Sequence, residues 1–160
     1  MSRGFRKLLI GTMLAVGGIT LALAAAGPDP AIGTWTLNLA KSTFSPGPAP
    51  KSQTRTYAAS ADGTSLTVSG VGADGSAMSQ QSTFKYDGKP YPMTGSPDYD
   101  AIALKRVNGS TVKSTMTKAG KQVGSSTRSI SAHGKVLTLT SKYTGADGKA
   151  YNNVAVFDKQ

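Results

Sequence analysis

Few side chains in this sequence of 160 residues could carry out acid–base or nucleophilic chemistry. There are eight aspartates, no glutamate, one histidine and no cysteine. Four aspartates directly precede a glycine, at Asp62, Asp74, Asp87 and Asp147. An aspartate in that position accepts hydrogen bonds from turn amides and does not face a second carboxylate across a cleft. The composition therefore disfavours paired-carboxylate hydrolysis, and it excludes a thiol nucleophile and a thiolate metal site.

The remaining candidates for chemistry are isolated. His133 lies in a predicted turn before Gly134, and no nucleophile–base–orienter set can be assembled around it, so a turn histidine is the preferred interpretation. Asp98-Tyr99-Asp100 offers two carboxylates to a hard cation, but the acidic loop of a calcium site is missing. A turn that leads into the next strand is the preferred interpretation there. We expect a protein that is not an enzyme and needs no metal or cofactor.

One proline- and tyrosine-rich segment, residues 85–100, interrupts the regular spacing of the chain. Its prolines make it stiff, and Tyr91 and Tyr99 could line the mouth of a barrel and contact a ligand. The alternative is a corner loop whose tyrosines plug the end of the barrel. Arg106 and Arg128 lie within predicted strands, where either could stack on Trp35 or bind a ligand carboxylate. Outward, solvated arginines are the default interpretation.

The elements that must position these residues begin after a leader. Residues 2–7 are basic, Leu8 to Leu23 is an apolar run, and small residues follow it. This pattern is typical of a secretory signal peptide over residues 1–26; the alternative is a retained membrane anchor. We therefore expect a periplasmic or secreted protein, with residues 27–160 forming a single domain. No transmembrane span is expected after cleavage.

The rest of the chain has the pattern of a β protein. Ile32 to Leu39 alternates, with Trp35, Leu37 and Leu39 on one face. The segment from Lys41 to Lys51 is expected to be an extended connector, because its prolines remove amide donors. Later Asp-Gly and Asn-Gly pairs are hairpin signals. The strands between them are predicted at 52–59, 64–72, 76–86, 100–107, 110–118, 121–131, 135–143 and 149–158, with a short edge piece near Lys89 to Pro92.

These strands predict an antiparallel up-and-down meander that closes into a barrel of eight to ten strands, because closure removes the exposed edges. Val154 and Val156 are among the residues expected to point inward. We predict that the barrel binds a small, partly apolar ligand. The predicted ligand-binding residues are Trp35, Met78, Phe84, Tyr86, Tyr91, Tyr99, Leu104, Arg106, Met116 and Arg128.

The charge balance suggests a second kind of partner. Fifteen of the 18 Lys and Arg residues and all eight acidic residues lie after residue 26, which gives this part of the chain a formal net charge of +7. A basic exterior is compatible with an anionic polysaccharide or lipid of the cell envelope. The alternative is an ordinary solvated surface, since basic residues do not cluster. We expect no nucleic-acid partner.

Two resemblances support the barrel. Gly33-Thr34-Trp35 resembles the Gly-x-Trp signature of lipocalins and fatty-acid-binding proteins, which implies a lipocalin-like, or calycin-like, antiparallel barrel around an apolar ligand. In lipocalins this tryptophan packs against an arginine of a late strand, for which Arg128 is the candidate. The helical lid and C-terminal helix of those families are not evident in the sequence.

The chain from Gly27 onward is also similar to a group of small exported bacterial proteins of unknown function. The similarity is carried by the segments 33–38, 41–44, 86–89, 94–97 and 153–156. It implies a periplasmic or secreted lipocalin-like protein and implies no reaction.

Overall fold

The computed structural model describes residues 28–160, so the predicted leader lies outside the described residues. Eleven β-strands and one short 3-10 helix, Leu39–Lys41, make up this part of the chain. The strands are β1 Gly33–Leu37, β2 Thr43–Ser45, β3 Ser52–Ser60, β4 Gly63–Val71, β5 Ala77–Phe84, β6 Asp87–Pro92, β7 Ala101–Arg106, β8 Thr111–Lys118, β9 Lys121–Ile130, β10 Val136–Thr144 and β11 Ala150–Lys159. Among residues 28–160, no helix is long and apolar enough to cross a membrane.

The strands form one antiparallel sheet that curls into a nearly closed barrel. Ten strands follow each other in the order β5-β4-β3-β1-β11-β10-β9-β8-β7-β6, and β2 pairs with β11 beside this path. The predicted antiparallel barrel is therefore confirmed. The first and last strands are neighbours, with Trp35 opposite Lys159. The sheet therefore closes where β1, near the start of the described chain, pairs with β11 at its end. The remaining gap, called the seam, lies between β5 and β6, the two ends of the strand order.

The seam is held by very few bonds. Gln81 of β5 and Thr94, just after β6, exchange both backbone hydrogen bonds, with N–O distances of 3.1 and 2.9 Å. The Ser82 hydroxyl also donates to the Pro92 carbonyl over 2.7 Å. Elsewhere along the barrel, neighbouring strands share longer ladders, such as the nine Cα pairs of β3 with β4, and the ladders of β6 with β7 and of β8 with β9 each contain one register shift.

Two of the predicted Asp-Gly hairpin signals share one backbone conformation but lie in different places, one within β6 and one in the turn between β10 and β11. Gly88 and Gly148 have φ values of +80° and +78°, a region that residues with a Cβ rarely adopt. The preceding aspartates, Asp87 and Asp147, each accept a hydrogen bond from the backbone amide two residues later over 3.0 Å. Asp147 therefore stabilises the turn between β10 and β11, as predicted. The hairpin predicted at Asp87-Gly88 is wrong, because both residues belong to β6, at its register shift against β7.

Three other details of the prediction are wrong. The segment from Lys41 to Lys51 is not only a connector, because Thr43–Ser45 precede its prolines, keep their amide donors and pair with β11. Leu39 begins the 3-10 helix and is 44% exposed. On β11, Val154 is 36% exposed, whereas Ala155 and Phe157 face the core. Both faces of β11 are apolar, so alternation could not select one; pairing of Phe157 with Leu137 fixes the choice.

The apolar core is concentrated around β1 and its neighbours. The largest fully buried side chains are Trp35, Phe84, Phe157, Leu137, Val68 and Val112. At this end of the barrel, called the base, lie residues 28–32 and the turn between β7 and β8. At the other end, called the mouth, lie residues 46–51, the loop 93–100 and the turn between β10 and β11.

Candidate functional site

The barrel encloses a cavity of about 300 Å³ that reaches the mouth. Its apolar wall includes Leu66, Phe84, Leu104 and Met116, which face inward from β4, β5, β7 and β8. Polar side chains also line it: Gln53, Arg55, Gln80, Ser114, Ser126, Arg128, Ser141 and Asn153. The interior is therefore amphipathic, with hydrocarbon beside hydrogen-bonding groups.

The base of the barrel is closed by Trp35. The residue is 0% exposed, and its indole Nε1 donates a hydrogen bond to the Ala31 carbonyl over 2.7 Å. The Lys159 ammonium lies 5.0 Å from the centre of the tryptophan ring, within the range of a cation–π contact. Trp35 packs in the core and does not line the cavity. Lys159, and neither of the predicted arginines, is the cation next to it.

A polar cluster lies next to this core. The Asp29 carboxylate is 3.5 Å from Arg106 and 3.6 Å from Arg128. The Tyr86 hydroxyl donates to Asp29 and accepts from Arg128 over 3.0 Å. Burial raises the pKa of Tyr86, an effect that the positive charge of Arg128 partly opposes. One carboxylate thus pairs with two guanidinium groups, which leaves the cluster a net charge of one positive unit, and a neutral phenol connects Asp29 with Arg128.

Arg128 is embedded in this cluster and also lines the cavity. Its guanidinium carbon lies 4.9 Å from the ring centre of Tyr57 and 5.5 Å from that of Tyr86. Its Nε and Nη1 are buried and have no hydrogen-bond partner among residues 28–160. Arg128 therefore keeps N–H donors that the cluster does not use.

Arg55 of β3 is the second buried arginine of the cavity. It is 7% exposed, and its guanidinium carbon lies 5.7 Å from the ring centre of Phe157. Its Nε is buried without a hydrogen-bond partner. Arg55 is not among the predicted ligand-binding residues, although its spacing of two residues from the apolar Tyr57 places both on the same face of a strand.

Aromatic side chains surround the mouth. The rings of Tyr143 and Tyr151 are stacked, with centres 5.1 Å apart and planes inclined by 14°. Burial, reinforced by the negative charge of Asp98, raises the pKa of Tyr143 to about 12. Tyr99, from the loop 93–100, also lines the cavity, and burial raises its pKa. Neutral tyrosines therefore form much of the rim at physiological pH.

The loop that carries Tyr99 is fastened to two other turns. Asp98 accepts a hydrogen bond from the Ala146 amide, and Asp100 accepts one from the Ala119 amide, both over 2.9 Å. The two carboxylates thus serve different turns and do not converge on a cation. Among residues 28–160, no group of three or more His, Cys, Asp or Glu residues could hold a metal ion.

The structure brings six of the predicted ligand-binding residues together on the cavity: Met78, Phe84, Tyr99, Leu104, Met116 and Arg128. The other four lie elsewhere. Trp35, Tyr86 and Arg106 belong to the base, and the Tyr91 hydroxyl donates to Asp87 over 2.9 Å, away from the mouth. Arg106 lies over the Tyr86 ring, 4.3 Å from its centre. The mouth tyrosines Tyr143 and Tyr151 were not predicted, because alternation on β10 and β11 was read only for aliphatic residues.

No protein-family model and no curated protein matches the sequence. The chain resembles several solved structures in fold, among them two β-barrels. A redesigned β-barrel, mFAP1, bound to DFHBI, shares 13% identity over 81% of this chain and 95% of its own, with a TM-score of 0.44. The zebrafish ileal bile acid-binding protein, complexed with cholic acid, shares 12% identity over 82% of this chain and 99% of its own, with a TM-score of 0.46. At these identities the likeness concerns the fold.

Proposed function

We propose that this protein binds a small, partly apolar molecule inside its barrel and is not an enzyme. The observation that carries the proposal is the cavity of about 300 Å³, which reaches the mouth and combines an apolar wall with a few polar groups. Pockets that bind small molecules have this size and character. The Trp35 core closes the opposite end, so a ligand would enter at the mouth.

The carboxylates of the barrel support a binding role over a catalytic one. Asp74, Asp87, Asp98, Asp100 and Asp147 all accept hydrogen bonds from backbone amides. Asp29 is held by two arginines and a tyrosine. These contacts give the carboxylates positioning and stabilising roles.

The test is a titration with N-phenyl-1-naphthylamine, a neutral dye whose emission rises in an apolar site. Ser141 of β10 lines the cavity, whereas Thr140, its neighbour on the strand, is exposed. Ser141→Phe places a ring inside the cavity, and Thr140→Phe places the same ring outside the barrel. We expect saturable one-to-one binding to the unmodified protein and to Thr140→Phe, and at least about tenfold weaker binding to Ser141→Phe.

Two results of this titration would overturn the proposal. If the dye fails to bind the unmodified protein, or binds Ser141→Phe as tightly as Thr140→Phe, the cavity is not a binding site. Circular dichroism of both variants shows whether the barrel is intact.

We also propose that the protein is exported and belongs to the group of small exported barrels that its sequence resembles. The basic start followed by an apolar run and small residues supports this. The mass of the protein isolated from the cells that make it tests it. A chain starting near Gly27 is expected, and a chain that retains residues 1–26 would contradict export by cleavage.

One observation favours a second function, the binding of an anionic polymer to the outside of the barrel. Lys105 and Lys113 face each other across β7 and β8, and Lys118 faces Lys121 across β8 and β9; all four are exposed. Directly opposed like charges are unfavourable in a sheet, and a polyanion would relieve them. Salt-sensitive binding of lipopolysaccharide that is lost in the double variant Lys105→Gln and Lys113→Gln, but kept in Ser141→Phe, would support this function. Binding unaffected by the double variant would contradict it.

A further inference from the structure

Arg55 is a cation inside the barrel without a matching anion. It lines the cavity at 7% exposure. None of the aspartates among residues 28–160 lies within ion-pair distance of its guanidinium, since the salt bridges there involve other cations. Its Nε is buried without a hydrogen-bond partner within this part of the chain. An isolated buried charge is unfavourable, so this arginine is an unusual feature of the interior.

The comparison with Arg128 shows what is missing at Arg55. Arg128 has the Asp29 carboxylate at 3.6 Å and the Tyr86 hydroxyl at 3.0 Å. Arg55 has only the face of the Phe157 ring, at 5.7 Å. A planar guanidinium offers a fork of N–H donors that matches a carboxylate, sulfonate or phosphate. An acidic group within the cavity would therefore supply for Arg55 what Asp29 supplies for Arg128.

The surroundings of Arg55 leave this role open to a ligand. Asp98, at the mouth, is the aspartate that lines the cavity, but it is bound to the Ala146 amide. The positive charge of Arg55 opposes the burial that raises the pKa of Tyr99, which places the charge within electrostatic reach of the mouth. Arg128 lines the same cavity and likewise has buried nitrogen atoms, Nε and Nη1, without hydrogen-bond partners among residues 28–160.

We infer that the molecule bound in the cavity is an amphipathic anion, whose single acidic group accepts hydrogen bonds from Arg55 and whose apolar body lies against Leu66, Phe84, Leu104 and Met116. This inference rests on the proposed function, since it names the class of ligand for the same cavity. It also distinguishes that ligand from a neutral lipid or sterol of equal size.

The experiment uses two dyes that share one framework. 8-Anilino-1-naphthalenesulfonate carries a sulfonate, and N-phenyl-1-naphthylamine has a hydrogen in its place. Both are titrated into the unmodified protein, into Arg55→Gln, and into Lys142→Gln, which removes an exposed charge as a control. We expect Arg55→Gln to weaken binding of the sulfonate at least about tenfold and to change binding of the neutral dye less than about threefold. Lys142→Gln should change neither by more than about twofold.

The outcomes separate the two proposals. If the neutral dye binds but Arg55→Gln leaves sulfonate affinity unchanged, or weakens both dyes equally, the inference is wrong and the proposed function stands. If neither dye binds the unmodified protein, both are wrong. A second measurement needs no variant: decanoate should displace the neutral dye from the unmodified protein at least about tenfold more effectively than decanol. Equal displacement, or better displacement by decanol, would overturn the inference.

Discussion

Asp29 lies 3.6 Å from Arg128 and thereby ties the start of the described chain to β9. The side chains of both residues are buried, at 11% and 6% exposure. The same carboxylate contacts Arg106 and receives the Tyr86 hydroxyl. A single aspartate thus organises the polar part of the base, beside the Trp35 core.

The first prediction concerns this carboxylate. Asp29→Asn keeps the shape of the side chain but leaves two guanidinium groups without an anion, and removing one partner of a buried ion pair is strongly destabilising. We expect the free energy of unfolding to fall by about 2–4 kcal/mol in urea titrations. Asp62→Asn, in an exposed hairpin turn, should change it by less than about 0.5 kcal/mol. Equal effects of the two variants would contradict the role of Asp29.

Replacing each of the two buried arginines by methionine should change the free energy of unfolding in opposite directions. Arg55→Met removes an unpaired charge from the empty barrel, so we expect the unliganded protein to gain about 1 kcal/mol of stability. Arg128→Met leaves Asp29 and Tyr86 without their partner and should cost about 3 kcal/mol. Urea unfolding of both ligand-free variants measures the difference. Destabilisation by Arg55→Met comparable to that by Arg128→Met would mean that Arg55 is partnered within the protein.

The seam between β5 and β6 depends on a glycine. At Gly95, where φ is +77°, a Cβ would overlap the main-chain oxygen of Ser79. At Gly88 φ is +80°, and nothing lies within 4 Å of such a Cβ. Gly88→Ala should therefore cost only the backbone strain, about 1 kcal/mol. Gly95→Ala should cost about 2 kcal/mol more and should speed amide exchange at Gln81 and Thr94. Similar costs for the two variants would show that the seam does not need the close approach.

The mouth tyrosines predict a loss of stability in alkali. Below pH 10.0, the ordinary pKa, Tyr143 is neutral in both the folded and the unfolded chain; above it, the unfolded chain releases the proton first, because the folded pKa is about 12. Stability should therefore fall as the pH rises from about 10 to about 12. Tyr143→Phe should reduce this loss in urea titrations at successive pH values. The raised pKa values of Tyr86 and Tyr99 leave a residual loss of the same sign. An unchanged alkaline profile in Tyr143→Phe would contradict the burial of its hydroxyl.

Two segments of the barrel, one in β6 and one at the turn between β10 and β11, share the pattern Asp-Gly-Lys-x-Tyr and the same hydrogen bonds. Tyr91 donates to Asp87, and Tyr151 donates to Asp147, both over 2.9 Å. The pKa of each aspartate is lowered, first by the lysine amide and also by the tyrosine hydroxyl. Tyr151→Phe should raise the pKa of Asp147 towards its ordinary value and leave that of Asp87 unchanged. An NMR titration reads both in one sample; an unmoved Asp147 would show that the hydroxyl does not bind it.

Much of the fold could be predicted from the sequence because its signals are local. Asp-Gly pairs fix turns, and alternation of apolar residues fixes strands, so the antiparallel barrel and most strand positions were correct. The seam between β5 and β6 was not predicted, because Asp87-Gly88 has the local signal of a hairpin between these consecutive strands. The sheet closes instead through β1 and β11, which are far apart in the chain and have no local signal for their pairing. The face of β11 was wrong for the same reason, since only its pairing with β10 selects Phe157 over Val156.

The candidate site was predictable only in its apolar part. Phe84, Leu104 and Met116 lie on the cavity as alternation predicted. The burial of Arg55 and Arg128 in the cavity wall was harder to predict, because an arginine in a strand ordinarily points into solvent. Asp29 pairs with Arg128 and not with Arg55, and it is separated from Arg128 by 99 positions in the chain. Its contact with Arg128 is a product of the closed barrel and has no local signal.

The measurement that tests the central claim most directly is native mass spectrometry of the protein isolated gently from the cells that make it. The same sample is measured again after denaturation and refolding. A cavity that binds a small amphipathic anion predicts an added mass of one small molecule before denaturation and its absence afterwards, with an acidic compound in the released fraction. The bare protein mass in both samples, together with failure to bind either naphthalene dye, would contradict the account.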